Sequence, residues 1–336
     1  MNNYSELLKN ITQLMDEGRS NVAQTLSRIM IQTYWEIGKN LVEYEQKGNE
    51  RAEYGSKLLN QLSKDLKTQF GKGFSQRNIY QMRLFFTKYP ILQTSAKFQI
   101  SETLSHQLSW SHYVELLKIE DGLERSFYEK ECEKEKWSIR ELKRQINSAL
   151  FERIALSKDK KHILELAVKG HEVENPKDII KDPFVLEFLQ LKENISEKKL
   201  ESRIIENIQK FILEMGKGFT FVGRQYRISS ENNHYYVDLV FYNRLLKCFV
   251  LIDLKIGEVT PQDIGQMNFY LNYFEKEENT ETETKPIGII LAAGKGNINI
   301  EYALGGITNN LFVSKYKLYL PNKLELQRKL NEILKD

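Results

Sequence analysis

Between residues 218 and 255 three runs rich in β-branched and aromatic residues follow one another: GFTFVGRQYRI, HYYVDLVFYN and KCFVLIDLK. Turn-type residues separate them, so they read as strands. A helix start comes next, with Thr260 as N-cap, Pro261 at the first helical position and Asp263 in the first turn. Upstream, LESRIIENIQKFILEMG (200–216) reads as one helix closed by Gly216, and downstream PIGIILAA and LFVSKYKLYL read as further strands. The order helix, three strands, helix, strand commits this half of the chain to an α/β layer domain. The biased segment EKEENTETETK (275–285) is a solvated loop between them.

The first half follows another pattern. VAQTLSRIMIQTYWEIGKNLVEY sets Val22, Leu26, Ile29, Met30, Ile37, Leu41 and Val42 at helical spacing, as if on one core face. Leu58, Leu59, Leu62 and Leu66 repeat the pattern, and Ser138 with Glu141 forms a capping box. No alternating strand pattern appears. With 336 residues there is room for two domains with their own cores. The expected organisation is a helical domain over 1–156, a charged linker with Gly170 and Pro176 over 157–182, and an α/β domain over 183–336.

Composition excludes rather than identifies. A net charge of +3 means that any basic surface is local. Cys132 and Cys248 lie outside any CxxC pair, which argues against a disulfide framework or a structural zinc site. No apolar run is long enough to span a bilayer and no signal-peptide pattern opens the chain, so a cytoplasmic protein with no membrane partner is expected.

Chemistry gathers at the strand ends. Asp253 and Lys255 are two apart at the end of the apolar run Val250–Leu254, so both point to one face while Leu254 faces away. A structural ion pair would account for these two alone. Asp238, in the preceding strand run, comes alongside Asp253 if the strands are neighbours. Two adjacent carboxylates raise each other's pKa unless a cation sits between them, and oxygen ligands suit magnesium. Lys255 would then orient or help deprotonate a water and balance charge on a phosphate. Glu201 falls in the middle of the apolar face formed by Leu200, Ile204, Ile208 and Phe211, either as a site carboxylate or as a cap for its own helix; Glu206 points to solvent. Gln266 and Tyr270, four apart, share one face of the helix that leaves the Asp253 strand.

Asp238, Asp253-x-Lys255 and Gln266-xxx-Tyr270 in an α-β-β-β-α-β order resemble the PD-(D/E)XK nuclease superfamily. The longer strings YYVDLVFYNRLLKCFVLIDLK and GQMNFYLNYF resemble the bacterial YhcG family over about 184–320. FGKGFSQRNIYQMRLFF and LSWSHYVELL extend that resemblance to the family's helical N-terminal domain. The resemblance implies a restriction-endonuclease-like fold and hydrolysis of phosphodiesters in nucleic acid with Mg2+ (or Mn2+). By it Asp238 and Asp253 bind the metal, Glu201 supports it, Lys255 acts on the attacking water, and Gln266 and Tyr270 shape the site. Two positions depart from the superfamily pattern: Val237 stands where proline is usual, and Asp253 where glutamate is commoner.

In the helical half, Gly71-Lys72-Gly73 stops one amphipathic helix and Ser75 can cap the next, the layout of a helix-turn-helix or of a plain αα-hairpin. As a DNA reader it would bury Ile79, Met82 and Phe86 and present Arg77, Gln81 and Lys88 outward. Trp35, Trp110 and Trp137 read as core anchors. The expected protein is a DNA endonuclease with a helical targeting domain, with a symmetric homodimer as a geometric expectation. The alternative is a catalytically silent nucleic-acid-binding or assembly protein on the same fold.

Overall fold

The computed structural model describes residues 2–46, 52–89, 108–156, 160–181, 183–192, 195–230, 233–294 and 310–335. Contacts divide the chain into two compact units, Met1–Arg144 with Leu164–Gly170, and Gln145–Ile163 with His171–Asp336.

The first unit is helical. Helix α1 (Asn2–Gln46) packs with α3 (Gln76–Lys88), which follows α2 (Ala52–Phe70), and α4 (Trp110–Leu116), α5 (Gly122–Glu135) and most of α6 (Ile139–Asn147) complete it. The face of α1 that is buried differs from the one its spacing suggests. Ile31, Tyr34, Trp35 and Leu41 are buried, whereas Val22, Leu26, Ile29 and Met30 are exposed; Ile37 and Val42 are half-buried. Among the described residues the buried positions of this helix lie in its last third, and Gly38 lets α3 come close. A Cβ at Gly38 would lie 2.0 Å from the Met82 carbonyl oxygen. Ile79, Met82, Phe85 and Phe86 of α3 fill this contact, each worth roughly 1.5–3 kcal/mol of burial. Trp35 sits fully inside against Phe86, with ring centroids 4.9 Å apart; Trp110 and Trp137 are half-buried.

The segment expected as a linker is ordered in part. Residues Lys160–Lys169 form α8, with Ile163, Leu166 and Ala167 buried, and Pro176–Ile179 forms a 3-10 turn. Its helical period was hidden by the flanking lysines. Gly170, at φ +72°, ends the helix in the left-handed region that glycine enters freely.

The second unit holds one six-stranded sheet. In chain order its elements are α7 (Leu150–Ala155), β1 (Phe184–Val185), α9 (Glu197–Glu206), α10 (Ile208–Met215), β2 (Phe219–Ser230), β3 (Asn233–Asn243), β4 (Cys248–Glu258), α11 (Pro261–Tyr273), β5 (Ile287–Gly294), β6 (Asn310–Lys317) and α12 (Lys323–Lys335). The spatial order is β1-β6-β5-β4-β3-β2; β2, β3 and β4 run antiparallel, and β4, β5, β6 and β1 pair in parallel. This is the α/β layer domain expected from the order of elements, in the restriction-endonuclease-like arrangement that the resemblance implies.

Both sheet faces are covered. Leu200, Ile204, Phe211 and Met215 of α9 and α10 pack on Leu239, Phe241, Val250 and Leu254. On the opposite face Ile264, Met267, Tyr270 and Leu271 of α11 pack on Leu251 and Ile290. The run 200–216 is two helices, not one. Asn207 leaves the helical region at φ −117°, ψ 29° and its amide side chain donates to the Arg203 carbonyl at 3.0 Å, closing α9 before α10 begins. The two cysteines are free and buried, Cys248 as a small apolar residue of β4.

Candidate active site

The antiparallel ladder of β3 and β4 runs from Asn243 opposite Cys248 to Leu239 opposite Ile252. One step further, Asp238 takes over from the backbone: its Oδ2 accepts the Leu254 amide hydrogen at 2.8 Å. That bond fixes Asp238 at the end of β4, beside Asp253 and Lys255.

Asp253 is buried at 4% exposure, and its Oδ2 lies 2.9 Å from Lys255 Nζ. Among the described residues no donor other than the Lys255 ammonium reaches this buried oxygen. Burial pushes the Asp253 carboxyl up, the Asp238 charge adds to it, and Lys255 pulls back only in part; it titrates at about 6. Lys255 also reaches Asp263 Oδ1 at 3.2 Å. Burial works against its charge, but Asp253 and Asp263 more than offset this and hold the ammonium above the ordinary lysine range. Lys255 is therefore a fixed cation here. It is placed to act on a water or to balance phosphate charge.

Glu201 is buried on α9, and that helix starts at Glu197 under a Ser196 cap, so Glu201 lies beyond the first turn and does not cap it. It touches Asp238 through one intermediary. The Gln225 amide Nε2 donates to Glu201 Oε2 at 2.9 Å and to Asp238 Oδ1 at 3.0 Å. Gln225 stands on β2 between the pairs Arg224–Leu239 and Tyr226–Val237, which puts it opposite Asp238. Its backbone is left-handed at φ +47°, uncommon for a residue with a side chain. Burial raises the Glu201 carboxyl and the Asp238 charge adds to this, against the Gln225 hydrogen bond.

Asp263 and Thr260 cap α11 reciprocally. Asp263 Oδ2 accepts from Thr260 N at 2.8 Å and Oγ1 at 2.7 Å, and the Asp263 amide donates to Thr260 Oγ1 at 3.4 Å. Burial alone would raise its carboxyl; the Thr260 donors and Lys255 outweigh this and lower it. Tyr270 is fully buried, accepts from Gln266 Nε2 and donates to the Tyr236 carbonyl at 3.0 Å, two residues from Asp238. Its phenol is thus engaged in pinning α11 to β3, and Gln266 is exposed at the rim.

Two of these residues escaped the reading of the sequence. Asp263 carried a signal, the Thr260–Asp263 spacing of a capping box, though not its second role toward Lys255. Gln225 carried none: a polar residue in a strand looks like any solvent-facing position until the register sets it against Asp238.

A hard divalent cation fits this donor set at two carboxylates. Asp238 and Asp253 stand one step beyond the Leu239–Ile252 pair of the ladder, and among the described residues only the Lys255 ammonium reaches the buried Asp253 Oδ2. Magnesium is commonly held by one or two carboxylates with water and phosphate completing its shell. Among the described residues no group of three Asp, Glu, His or Cys side chains is close enough to hold an ion. Glu201 meets the pair through Gln225 instead.

In the first unit, α2 and α3 are joined through the turn at Gly71, φ +85°, and Ser75 caps α3 by accepting from Asn78 N at 3.2 Å. Arg77 is exposed and Gln81 half-buried. Lys88, expected to point outward, is turned in: its ammonium donates to the carbonyls of Leu117 and Ile119 at 3.0 and 3.1 Å and pairs with Glu120 at 3.0 Å. The last turn of α3 places this lysine within reach of two carbonyls just past α4, of which that of Ile119 also accepts from Arg125 Nη1 at 2.9 Å.

Comparison with known proteins agrees with these two halves. The YhcG PDDEXK nuclease domain matches residues 177–331, and the DUF1016 N-terminal domain matches residues 10–153. A protein of Escherichia coli (strain K12) named "Putative nuclease YhcG" is 40% identical over 350 residues, covering 97% of this chain and 93% of its own. Two solved structures are similar at 19% identity over 39% of this chain. They are a repair endonuclease from Pyrococcus abyssi (50% of its chain, TM-score 0.26) and EndoMS in complex with double-stranded DNA (48% of its chain, TM-score 0.28). Among the described residues no helix is long and apolar enough to cross a membrane. The chain belongs to the YhcG family, with a PDDEXK nuclease domain behind a DUF1016 N-terminal domain.

Proposed function

We propose that this chain is a cytoplasmic, metal-dependent endonuclease that hydrolyses phosphodiester bonds in DNA, with Asp238 and Asp253 holding Mg2+ (or Mn2+). The observation that carries this reading is the buried Asp253 carboxylate, whose Lys255 partner is shared with Asp263, beside a second carboxylate that Leu254 N locks in place. A divalent ion bound there would supply Lewis acidity at the scissile phosphate. Lys255, held charged by Asp253 and Asp263, offers hydrogens to a phosphoryl oxygen as negative charge builds on it. Gln225 fixes Asp238 from the side opposite Leu254 and ties Glu201 to the site; the Tyr270 phenol and the exposed Gln266 hold and finish the rim. An open groove of about 430 Å3, lined among others by Ile256, Lys315, Lys317 and Tyr319, gives a nucleic-acid strand a basic and partly aromatic wall.

DNA is favoured over RNA by the α2–turn–α3 unit, whose Arg77 sits in the first turn of the second helix with Gln81 one turn on. Lys88 is not part of that surface. Cutting both strands with one site per chain favours two chains in symmetric arrangement.

Incubating the full chain with plasmid, single-stranded DNA and RNA, with and without Mg2+, tests the reading. Nicking or linearisation of plasmid only with the cation is the expected result. Cleavage unaffected by chelator, or none on any substrate with either Mg2+ or Mn2+, overturns it.

A further inference from the structure

Beyond the two carboxylates the strands β3 and β4 part. Their ladder ends at Leu239 opposite Ile252. From there β4 runs on to Glu258 beside β5, while among the described residues the start of β3, Asn233–Val237, pairs with Tyr226–Ser230 of β2 alone. A two-stranded ribbon is left on one side of the fork, with Asp238 at its root.

The two faces of the ribbon differ. Tyr226, Ile228, Tyr235 and Val237 turn toward α11, where the Tyr235 and Phe269 ring centroids lie 4.8 Å apart. Arg227, Ser229, His234 and Tyr236 alternate with them and are exposed. Arg227 stands opposite Tyr236 in the register, and Gln225 and Asp238 follow on the same side, so the exposed face runs into the candidate site. Tyr236 is 47% exposed, yet its backbone is held from behind by the Tyr270 phenol, which donates to its carbonyl at 3.0 Å. Among the described residues of β2 and β3 the charged side chains are Arg224, Arg227 and Asp238. The Arg227 guanidinium lies against His234, Nη2 to Nε2 2.9 Å, and pairs with no carboxylate among the described residues. A bare aromatic ring beside a guanidinium that no acid neutralises suits a polyanion that carries flat rings.

We infer, on the nuclease reading proposed above, that this face seats the strand being cut: Arg227 takes a backbone phosphate next to the scissile one, and the Tyr236 ring lies against the nucleotide between them. Residues two apart in a strand are about 6.6 Å apart, so Tyr236 stands roughly one phosphate step from Asp238. In the order β6-β5-β4-β3-β2 the ribbon and the groove at Lys315 and Lys317 flank β4 from opposite sides. A strand crossing this end of the sheet meets cations before and after the carboxylates.

Binding measured in a chelator keeps the test apart from cleavage. Fluorescence anisotropy of a labelled single-stranded DNA oligonucleotide, titrated with the full chain at several salt concentrations, gives the affinity and its salt slope. Arg227→Ala should weaken binding and flatten the slope of log K against log salt by about 0.7, the loss of one phosphate contact, and Arg227→Lys should keep the slope. Tyr236→Ala should weaken binding roughly tenfold with the slope unchanged, and Tyr236→Phe should bind as the parent does. Arg244→Ala, past the far end of β3, removes the same charge off the path and should also bind as the parent does. Both altered side chains of the ribbon are exposed, so circular dichroism should stay parental throughout. Parental affinity and slope in Arg227→Ala, parental affinity in Tyr236→Ala, an equal loss in Arg244→Ala, or no binding by the unaltered chain would each overturn it. DNA bound in this way but left uncut with Mg2+ and with Mn2+ would count against the nuclease reading alone.

Discussion

Two buried carboxylates in the sheet-bearing unit each lie against a cation, and they end differently. Glu214 on α10 receives Arg153 Nη1 at 2.6 Å and the Val185 amide at 3.0 Å. Arg153, on α7, donates also to the Pro183 carbonyl, the Ser148 carbonyl and the Ser148 hydroxyl. Both side chains are wholly inaccessible. Asp253 has a lysine shared with Asp263 and a second carboxylate alongside. A buried charge is tolerated when its partners complete its hydrogen bonds. The first cluster sets one cation against one carboxylate and holds a helix to the sheet; the second sets Asp238, Asp253 and Asp263 against Lys255.

If that contrast is right, the two clusters respond to opposite measurements. The largest effect is on cleavage. Asp238→Asn and Asp253→Asn should each lower Mg2+-dependent plasmid cleavage by at least about 1,000-fold, ~4 kcal/mol in barrier. Each should keep the circular dichroism of the parent. A variant that cuts at the parental rate removes that residue from the site.

Arg153→Ala should do the reverse. It leaves Glu214 charged and unpaired inside the protein, at a cost of about 3 kcal/mol or more by urea denaturation. Unchanged stability would mean that the clamp contributes nothing.

The pH dependence separates the clusters next. Folded Asp253 titrates at about 6 against an ordinary 3.8, so the folded chain takes up an extra proton between those values. Stability without metal therefore falls as pH rises through that window. The penalty is absent below its ordinary value and fully present above about 6, on the order of 2–3 kcal/mol. Asp253→Asn should remove it, so the variant melts higher than the parent at neutral pH and equally at about pH 4. Parallel melting curves across the range would contradict the charge deficit.

Smaller effects belong to the surrounding residues. Gln225→Gly keeps the left-handed backbone and removes the amide, and Glu201→Gln removes the charge behind it; each should cost roughly 10–100-fold in activity. Glu206→Gln, on the solvent side and paired only with Arg203, should change nothing measurable. Equal losses at 201 and 206 would place the site elsewhere.

How much of this could be read beforehand depends on the range of the interaction. The three strand runs and the Thr260 cap are local signals, and the structure shows them where the sequence puts them. Asp253 and Lys255 follow from strand alternation, and Asp238 needed only neighbouring strands. Gln225 depends on the register of β2 against β3 and on a left-handed residue, neither of which composition encodes. The buried face of α1 failed for a related reason. Its apolar stripe is wider than its partner, so spacing alone could not say that α3 would choose Ile31, Tyr34 and Trp35 and leave Val22 to Met30 outside. Lys88 went inward because carbonyls from a distant turn lay within its reach.

The central claim is that Asp253 and Asp238 leave room for one divalent cation. Titrating Mn2+ into the full chain, followed by its electron paramagnetic resonance signal, measures this without substrate. The account predicts one Mn2+ bound per chain, displaced by Mg2+, lost in Asp253→Asn and retained in Arg153→Lys. No bound Mn2+ in the parent, or the same stoichiometry and affinity in Asp253→Asn, would contradict it.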